Sequence, residues 1–405
     1  MSTKKKVMGP DGDGVCSESS ASESVEVKQP VATDRVFLSD HRGHRLSILR
    51  LLNSVTETSS PYNQFTLAQL DKHDITLCSF FTSSLKTPDD VPHFCVDGSI
   101  SGFLRSFRAA IKARSYDVVH VHSPHLGLFL ILGCLLFDRR LLRVSILTVH
   151  SSYPNYTFRH RLMLTLDFLV FRRIACCSQA SYDSFPRLFR ALAGHRIRAI
   201  ANGADIGRIQ GAEEQVTAAG RRSDDDYTVV VVGRLIALKD PLTVLRSFAA
   251  RHCGKSRLVF VGEGPLQEPL KRAVVEVGLK SYVEFCGLLP REKVYSHLRR
   301  ADLFVSASTI EGMPIAVLEA MACGCPVILS DIPSHREIAA VADTIPLVEI
   351  GNVEGFAREI DRSRRMPKAE RAAAGSRCKS IVSDHFSLTK MYRRYEETYD
   401  ELLPA

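Results

Sequence analysis

Residues 228–239 read Thr-Val-Val-Val-Val-Gly-Arg-Leu-Ile-Ala-Leu-Lys. Val229 to Val232 are β-branched and apolar at every position, where a half-exposed strand would alternate. A strand apolar on both sides belongs in the middle of a parallel sheet covered by helices on both faces. Gly233 ends the run, and the pattern then turns helical. The same unit recurs downstream, with strands predicted at 257–261, 282–286, 302–307, 326–329 and 345–348. Helices fall between them at 240–251, 265–277, 291–299, 314–323 and 334–340. Upstream, strands predicted at 36–38, 75–78, 117–121, 145–149, 174–178 and 197–200 alternate with helices at 101–114, 126–137 and 157–172. Two successive series predict an α/β fold with two doubly wound, Rossmann-like parallel sheets facing a cleft. The expected division is a disordered tail at 1–33, a first domain at 34–205, a second at 206–385 and a closing helix at 386–405. The polar stretch 207–226 reads as a linker.

Composition narrows the class. The chain has 405 residues, 45% hydrophobic and 24% charged, which excludes a wholly disordered or fibrous protein. Residues 1–33 nearly lack large apolar groups and cannot offset ordering entropy. Lys4-Lys5-Lys6 is followed by Gly9-Pro10-Asp11-Gly12-Asp13-Gly14 instead of an apolar core, so no secretory signal is expected. The longest apolar run, Leu126 to Phe137, is too short to span a bilayer and reads as a buried helix. Eleven cysteines without a CxxC pair read as reduced thiols in a cytoplasmic protein, not a zinc site. Asp11-Gly12-Asp13-Gly14 fails as a calcium loop at Val15, and no metal is expected. The net charge is +8. Residues 34–205 hold 21 basic and 13 acidic side chains, so they carry the whole excess. That points to an anionic partner for the first domain, and no nucleic-acid module is present.

Ligands of such sheets lie beyond the carboxyl ends of the strands. Gly233-Arg234 and Lys239 follow the first strand of the second series, Gly262-Glu263-Gly264-Pro265 follows the next, and Glu311-Gly312-Met313-Pro314-Ile315 with Glu319 follows a third. Arg234 and Lys239 suit a cationic clamp on a diphosphate. Gly312 permits close approach of backbone, Pro314 suits a first helical position, and the amides of Met313, Ile315 and Ala316 form an anion-attracting helix start. Glu311 and Glu319, unsuited to an anion, suit sugar hydroxyls. The nicotinamide fingerprint fails at Gln267, and the Walker pattern is absent.

In order and spacing, Gly233-Arg234-Leu-x-x-x-Lys239, Gly262-x-Gly264-Pro265 and Glu311-Gly312-x-Pro314-x-x-x-x-Glu319 resemble the donor-binding half of the family 4 retaining glycosyltransferases, which have the GT-B fold. The resemblance is densest over residues 200–340 and includes an E-x7-E signature. Asn202-Gly203-Ala204-Asp205 is similar to the family's NGxD junction, and Tyr392, Tyr395 and Tyr399 to its last helix, which crosses back onto the first domain. Thr148-Val149-His150 is similar to the segment that points a histidine into the cleft, and Val119-His120-Val121-His122 to the strand before it. His120 and His122 share one strand side, as metal ligands or as core histidines. Two departures stand out. The family's Gly-Gly loop is replaced by Ser39-Asp40-His41-Arg42-Gly43-His44, and Asp240 stands where many members have glycine.

The resemblance implies transfer of a sugar from a nucleotide diphosphate sugar with retention at the anomeric carbon, without cofactor or metal. It implies His150, Glu311, Arg234 and Lys239 as catalytic residues. Gly233, Gly262, Gly264, Leu288, Gly312, Met313, Pro314, Ile315 and Glu319 join Arg234, Lys239 and Glu311 in holding the donor. An anionic or lipid-linked acceptor would meet the first domain, in the cytoplasm at the inner face of a membrane. The segment 157–173, with Arg159, Arg161, Arg172 and Arg173 around apolar bulk, reads either as a membrane-edge helix or as a core helix with basic ends. An inverting transferase, an epimerase and a non-catalytic sugar-nucleotide binder are the alternatives.

Overall fold

A computed structural model describes residues 45–56, 59–214, 227–341 and 344–403. The tail expected at 1–33, the strand at 36–38 and the loop 39–44 lie outside them. Two wholly parallel sheets form. The first has seven strands in the order β3-β2-β1-β4-β5-β6-β7: β1 Ser47–Leu52, β2 Asp74–Ser79, β3 His93–Cys95, β4 Val118–Val121, β5 Ser145–Val149, β6 Arg173–Cys176 and β7 Ile197–Ala199. The second has six in the order β10-β9-β8-β11-β12-β13: β8 Tyr227–Val232, β9 Ser256–Val261, β10 Val283–Phe285, β11 Leu303–Ser306, β12 Val327–Ser330 and β13 Leu347–Val348.

Helices α1 Ile100–Ala113, α2 Pro124–Leu136, α3 Phe158–Val170, α4 Gln179–Ser184 and α5 Arg187–Ala193 belong to the first unit. Helices α6 Ile206–Glu214, α7 Pro241–Ala250, α8 Gln267–Glu276, α9 Arg291–Arg300, α10 Ile315–Ala322, α11 Pro333–Ala339, α12 Val353–Arg365 and α13 Lys368–His385 belong to the second, and α14 Leu388–Asp400 closes the chain. Val229 and Val231 pack with α7, α8 and α12, while Val230 packs with α9, α10 and α13, so β8 is buried on both faces.

Among the described residues the first strand is one that the sequence pattern did not predict. It is Ser47–Leu52 and pairs with both β2 and β4. Arg50 interrupts its apolar run, yet Arg50 is wholly buried. Its guanidinium donates to Gln69 Oε1 and lies 5.7 Å from the Phe65 ring centre. The loop after this strand starts at Asn53. The linker reading is corrected for residues 207–214, and the rest of it lies outside the described residues. Residues 206–214 form α6, whose Ile209 and Ala212 are buried against the second core, while Arg208 reaches Glu292 at 2.8 Å. The run 126–137 is not simply buried, because Leu132, Leu135 and Leu136 of α2 face solvent.

The chain passes between the two units twice at one place. Ala204 donates to the Phe386 carbonyl at 2.8 Å, and Leu388 donates back to the Ala204 carbonyl at 2.9 Å. Gly203 has no room for a Cβ, which would sit 2.5 Å from the Leu388 nitrogen. From there α14 lies across the first sheet. Leu388, Met391, Tyr392, Tyr395 and Tyr399 are buried against Ile48, Val118, Ile146 and Ala175. Its phenols satisfy polar groups of the strands below: Tyr399 Oη meets His120 Nδ1 at 2.8 Å, and Tyr395 Oη meets Thr148 Oγ1 at 3.0 Å.

Replacing Tyr399→Phe leaves the wholly buried His120 Nδ1 without its partner. Stability should fall by about 1–3 kcal/mol, the cost of an orphaned buried polar group. A urea titration of both proteins checks this, and an unchanged midpoint would show that the contact contributes nothing.

Candidate active site

Three strand ends of the second sheet meet at one rim. After β8, Gly233 adopts φ +148°, and the chain runs through Arg234 and Leu235 to Lys239. Asp240 has φ +42° and ψ +56°, the left-handed region. Its carboxylate accepts from the Thr243 amide at 3.2 Å and from the Thr243 hydroxyl at 2.6 Å, capping α7. The left-handed turn explains why glycine also suits this position. Thr309 donates to the Leu238 carbonyl at 2.9 Å, which ties this loop to the one after β11.

Lys239 Nζ lies 2.5 Å from Glu311 Oε1, with both side chains largely buried. Arg234 is exposed and lines the same recess as Gly233, Lys239, Ser308, Pro314 and Ala316. Pro314 precedes α10 and is not its first residue, so the amides of Ile315 and Ala316 open the helix before Val317 makes the first backbone bond, to the Pro314 carbonyl at 3.1 Å. The recess thus joins one ammonium, one guanidinium and a helix amino end. That combination favours a phosphate group.

Other members of the expected set stand elsewhere. Glu319 is buried on α10 and turns to α9. There Arg291 pairs with it and Tyr295 Oη donates to it at 3.2 Å. It does not line the Arg234–Lys239 recess, and the two glutamates hold different cations. Met313 has its side chain in the core of the second unit, so only its backbone faces the rim. Leu288 is exposed, and its amide donates to Glu263 Oε1 at 3.2 Å. Gly262 and Gly264 pack against backbone: a Cβ at either would strike the Gly233 or Leu235 carbonyl. These two glycines bring the β8 and β9 loops together.

Gly312 corrects another expectation. Its close neighbour is the first domain, since a Cβ there would lie 2.5 Å from the His150 carbonyl and 2.8 Å from Cys177 Sγ. Ser152 donates to the Glu311 carbonyl at 2.7 Å, and Ser178 donates to the Gly312 carbonyl at 2.7 Å. Glu337 of α11 accepts from the amides of Gln179 and Ala180 at 3.0 and 2.7 Å, capping α4 across the cleft. Ser152, Ser178, Glu337, Arg291 and Tyr295 had no signal in the sequence, because their partners lie between 24 and 159 positions away.

His150 sits half-buried at the end of β5, with Nε2 3.0 Å from His122 Nδ1. Removal from water lowers its imidazole to about 4, so the ring is neutral at pH 7. His120 is saturated by Tyr399 and by Thr148 at 2.7 Å, which makes it a core histidine. Among the described residues no three His, Cys, Asp or Glu side chains cluster as metal ligands, and the cysteines are free thiols. His335, wholly buried on α11, contacts the Ser330 carbonyl through Nδ1 at 2.8 Å and is likewise lowered to about 4 by burial.

The buried histidines set an acid limit. His73, His150 and His335 are each held near 4 in the folded chain against about 6.5 unfolded. Above pH 6.5 neither state binds the proton, and the rings cost nothing. Between pH 6.5 and 4 only the unfolded chain binds it, so stability falls through that window. Melting temperatures from pH 8 to 5 should be level down to about 7 and then drop. The wholly buried His335 alone accounts for on the order of 2 kcal/mol by pH 5, and a flat profile would contradict the buried neutral rings.

Comparison with known proteins agrees with this geometry. Residues 213–377 match the glycosyl transferases group 1 model, and residues 69–208 match glycosyltransferase family 4. The chain is 24% identical over 366 residues to the UDP-Gal:alpha-D-GlcNAc-diphosphoundecaprenol alpha-1,3-galactosyltransferase of Escherichia coli, spanning 85% of this chain and 91% of that enzyme. It is 26% identical over 260 residues to the GDP-mannose:cellobiosyl-diphosphopolyprenol alpha-mannosyltransferase of Xanthomonas oryzae, spanning 61% of this chain and 64% of that one. Among solved structures, sucrose-phosphate synthase of Thermosynechococcus elongatus superposes with a TM-score of 0.73 at 16% identity, covering 88% of this chain and 99% of that one. Anabaena Alr3699/HepE with UDP and glucose superposes at 0.72 with 19% identity, covering 88% and 100%. With both halves matched and two parallel-sheet units of GT-B architecture around the cleft, the chain belongs to the family 4, group 1 glycosyltransferases.

Proposed function

We propose that this glycosyltransferase takes a sugar from a nucleotide diphosphate sugar and places it, with retention at the anomeric carbon, on a lipid-linked acceptor. The observation that carries the reading is the Lys239–Glu311 pair beside Arg234 and the amino end of α10. The names of the Escherichia coli and Xanthomonas relatives support it, since they give α-linked products from UDP- and GDP-sugars and polyprenol-linked acceptors.

The demanding step is departure of the diphosphate. As the bond from the anomeric carbon to the phosphate oxygen breaks, negative charge grows on the β-phosphate. Lys239, Arg234 and the amides of Ile315 and Ala316 meet that charge, and preorganised donors of this kind contribute about 3–4 kcal/mol each. The acceptor hydroxyl bonds to the anomeric carbon from the face the leaving group vacates. Its proton passes to the departing phosphate oxygen, so the configuration is kept. In the resting pair Glu311 orients Lys239. With donor present its carboxylate accepts from sugar hydroxyls. His150, neutral at working pH, hydrogen-bonds the sugar and does not act as a nucleophile. Gly233, Gly262 and Gly264 shape the recess. Glu319, steadied by Arg291 and Tyr295, receives the nucleotide's ribose, and Leu288 lies beside the base. The reaction as drawn takes its countercharge from protein cations, with no metal or cofactor.

Lys239→Ala should lower kcat/KM by roughly 100- to 1,000-fold while the chain still melts cooperatively, at a lower temperature because Glu311 loses its partner. Product analysis by proton NMR should show the anomeric configuration of the donor. Parental turnover in the variant would remove the clamp, and an inverted product would remove the same-face mechanism.

A further inference from the structure

On the first domain, α2 and α3 pack side by side, with α5 against α3, on one face of the sheet. Inward, Leu126, Leu130, Leu164, Phe168 and Phe189 join the core. Outward, the helices remain apolar. Along α3, Phe158, Leu162, Leu166 and Leu169 follow one another at helical spacing on the solvent side, Phe158 with 82% and Leu162 with 61% of its surface exposed. Leu132, Leu135 and Leu136 of α2 and Leu188 of α5 extend the patch. Isolated surface leucines are ordinary, but eight exposed large apolar side chains on three adjoining helices mark a contact surface.

The charge around it identifies the partner. Arg139, Arg140 and Arg143 follow α2, Arg159 and Arg172 bracket α3, and Arg187 opens α5. All six are exposed, and among the described residues none has an ion-pair partner. Acids nearby are otherwise engaged. Asp138 caps the turn after α2 through the Arg140 amide at 2.9 Å, Asp167 is buried, and Asp183 pairs with Arg190. Pairing with a second copy would bring six like charges against their own image. An apolar face rimmed by long basic side chains fits a bilayer surface with anionic headgroups: leucines enter the acyl boundary while guanidinium groups stay with the phosphates. No helix among the described residues is long and apolar enough to cross the membrane.

We infer that the exposed face of α2, α3 and α5 is a docking surface for an anionic lipid bilayer. Both α2 and α3 begin at the carboxyl ends of their strands, and Phe158 follows six positions after Ser152, whose hydroxyl holds the Glu311 carbonyl. The amino end of this face, with Phe158, therefore lies on the cleft side of the sheet, and its carboxyl end, with Arg143 and Arg172 just before β5 and β6, lies at the opposite edge. Delivery of an acceptor to the cleft rests on the lipid-linked reading above, whereas the bilayer contact stands on the surface alone.

The test is sedimentation with phosphatidylcholine vesicles, with and without about one third phosphatidylglycerol. The parent should bind the anionic vesicles at low salt and at least tenfold more weakly at high salt. Leu162→Glu with Leu166→Glu, both exposed, should abolish binding, and Arg139→Glu with Arg140→Glu should weaken it at least tenfold. The nucleotide-induced rise in melting temperature should persist in both variants. No binding at low salt overturns the inference, as does binding that the leucine variant leaves intact. Gel filtration showing a dimer that the leucine variant splits also overturns it, by assigning the face to a second copy. A parent that binds vesicles without any nucleotide-induced shift would count against the donor reading and leave the docking surface standing.

Discussion

Gly312 presses against the His150 carbonyl, and no other residue fits in that space. This contact joins the two halves of the site. It sets the loop after β11 on the loops after β5 and β6, where Ser152 and Ser178 hold its carbonyls. Glu311, next in the chain, is thereby directed to Lys239 beside the amino end of α10. The glycine's missing side chain is used here for protein packing between domains and not for room beside a ligand.

The same economy recurs in the loops. Gly262 and Gly264 let the β8 and β9 loops touch backbone to backbone, and Asp240 takes the left-handed turn that delivers Lys239. Unlike glycine, Asp240 also caps α7, so one residue ends the loop and starts the helix. The positive groups of the recess therefore sit on a frame of short, strained or close-packed backbone. Little rearrangement is needed when charge develops in front of them.

The first domain meets different demands on its two faces. One face is closed by α14, whose tyrosines cover the strands and satisfy His120 and Thr148. The other carries α2, α3 and α5 and leaves leucines and arginines outside. The basic excess of residues 34–205 is thus partly structural, as with Arg50 and Arg196, and partly a surface.

Local pattern decided much by itself. The unbroken valines of 229–232, the glycines Gly233 and Gly262 after two strands of the second series and the period of the helices specify parallel α/β units, because burial on both faces leaves no other economical arrangement. The cations and carboxylates at the strand ends were visible for the same reason: strand ends are where such sheets keep their chemistry. The strand at 47–52 was hidden by Arg50, a charge whose burial depends on Gln69 and Phe65 arriving from elsewhere. The partners of Glu319, the cap that Glu337 places on α4 and the true neighbour of Gly312 were equally invisible, as was the solvent-facing side of α2. Each depends on which surfaces meet after folding, and spacing along a chain carries no record of contacts made across a cleft.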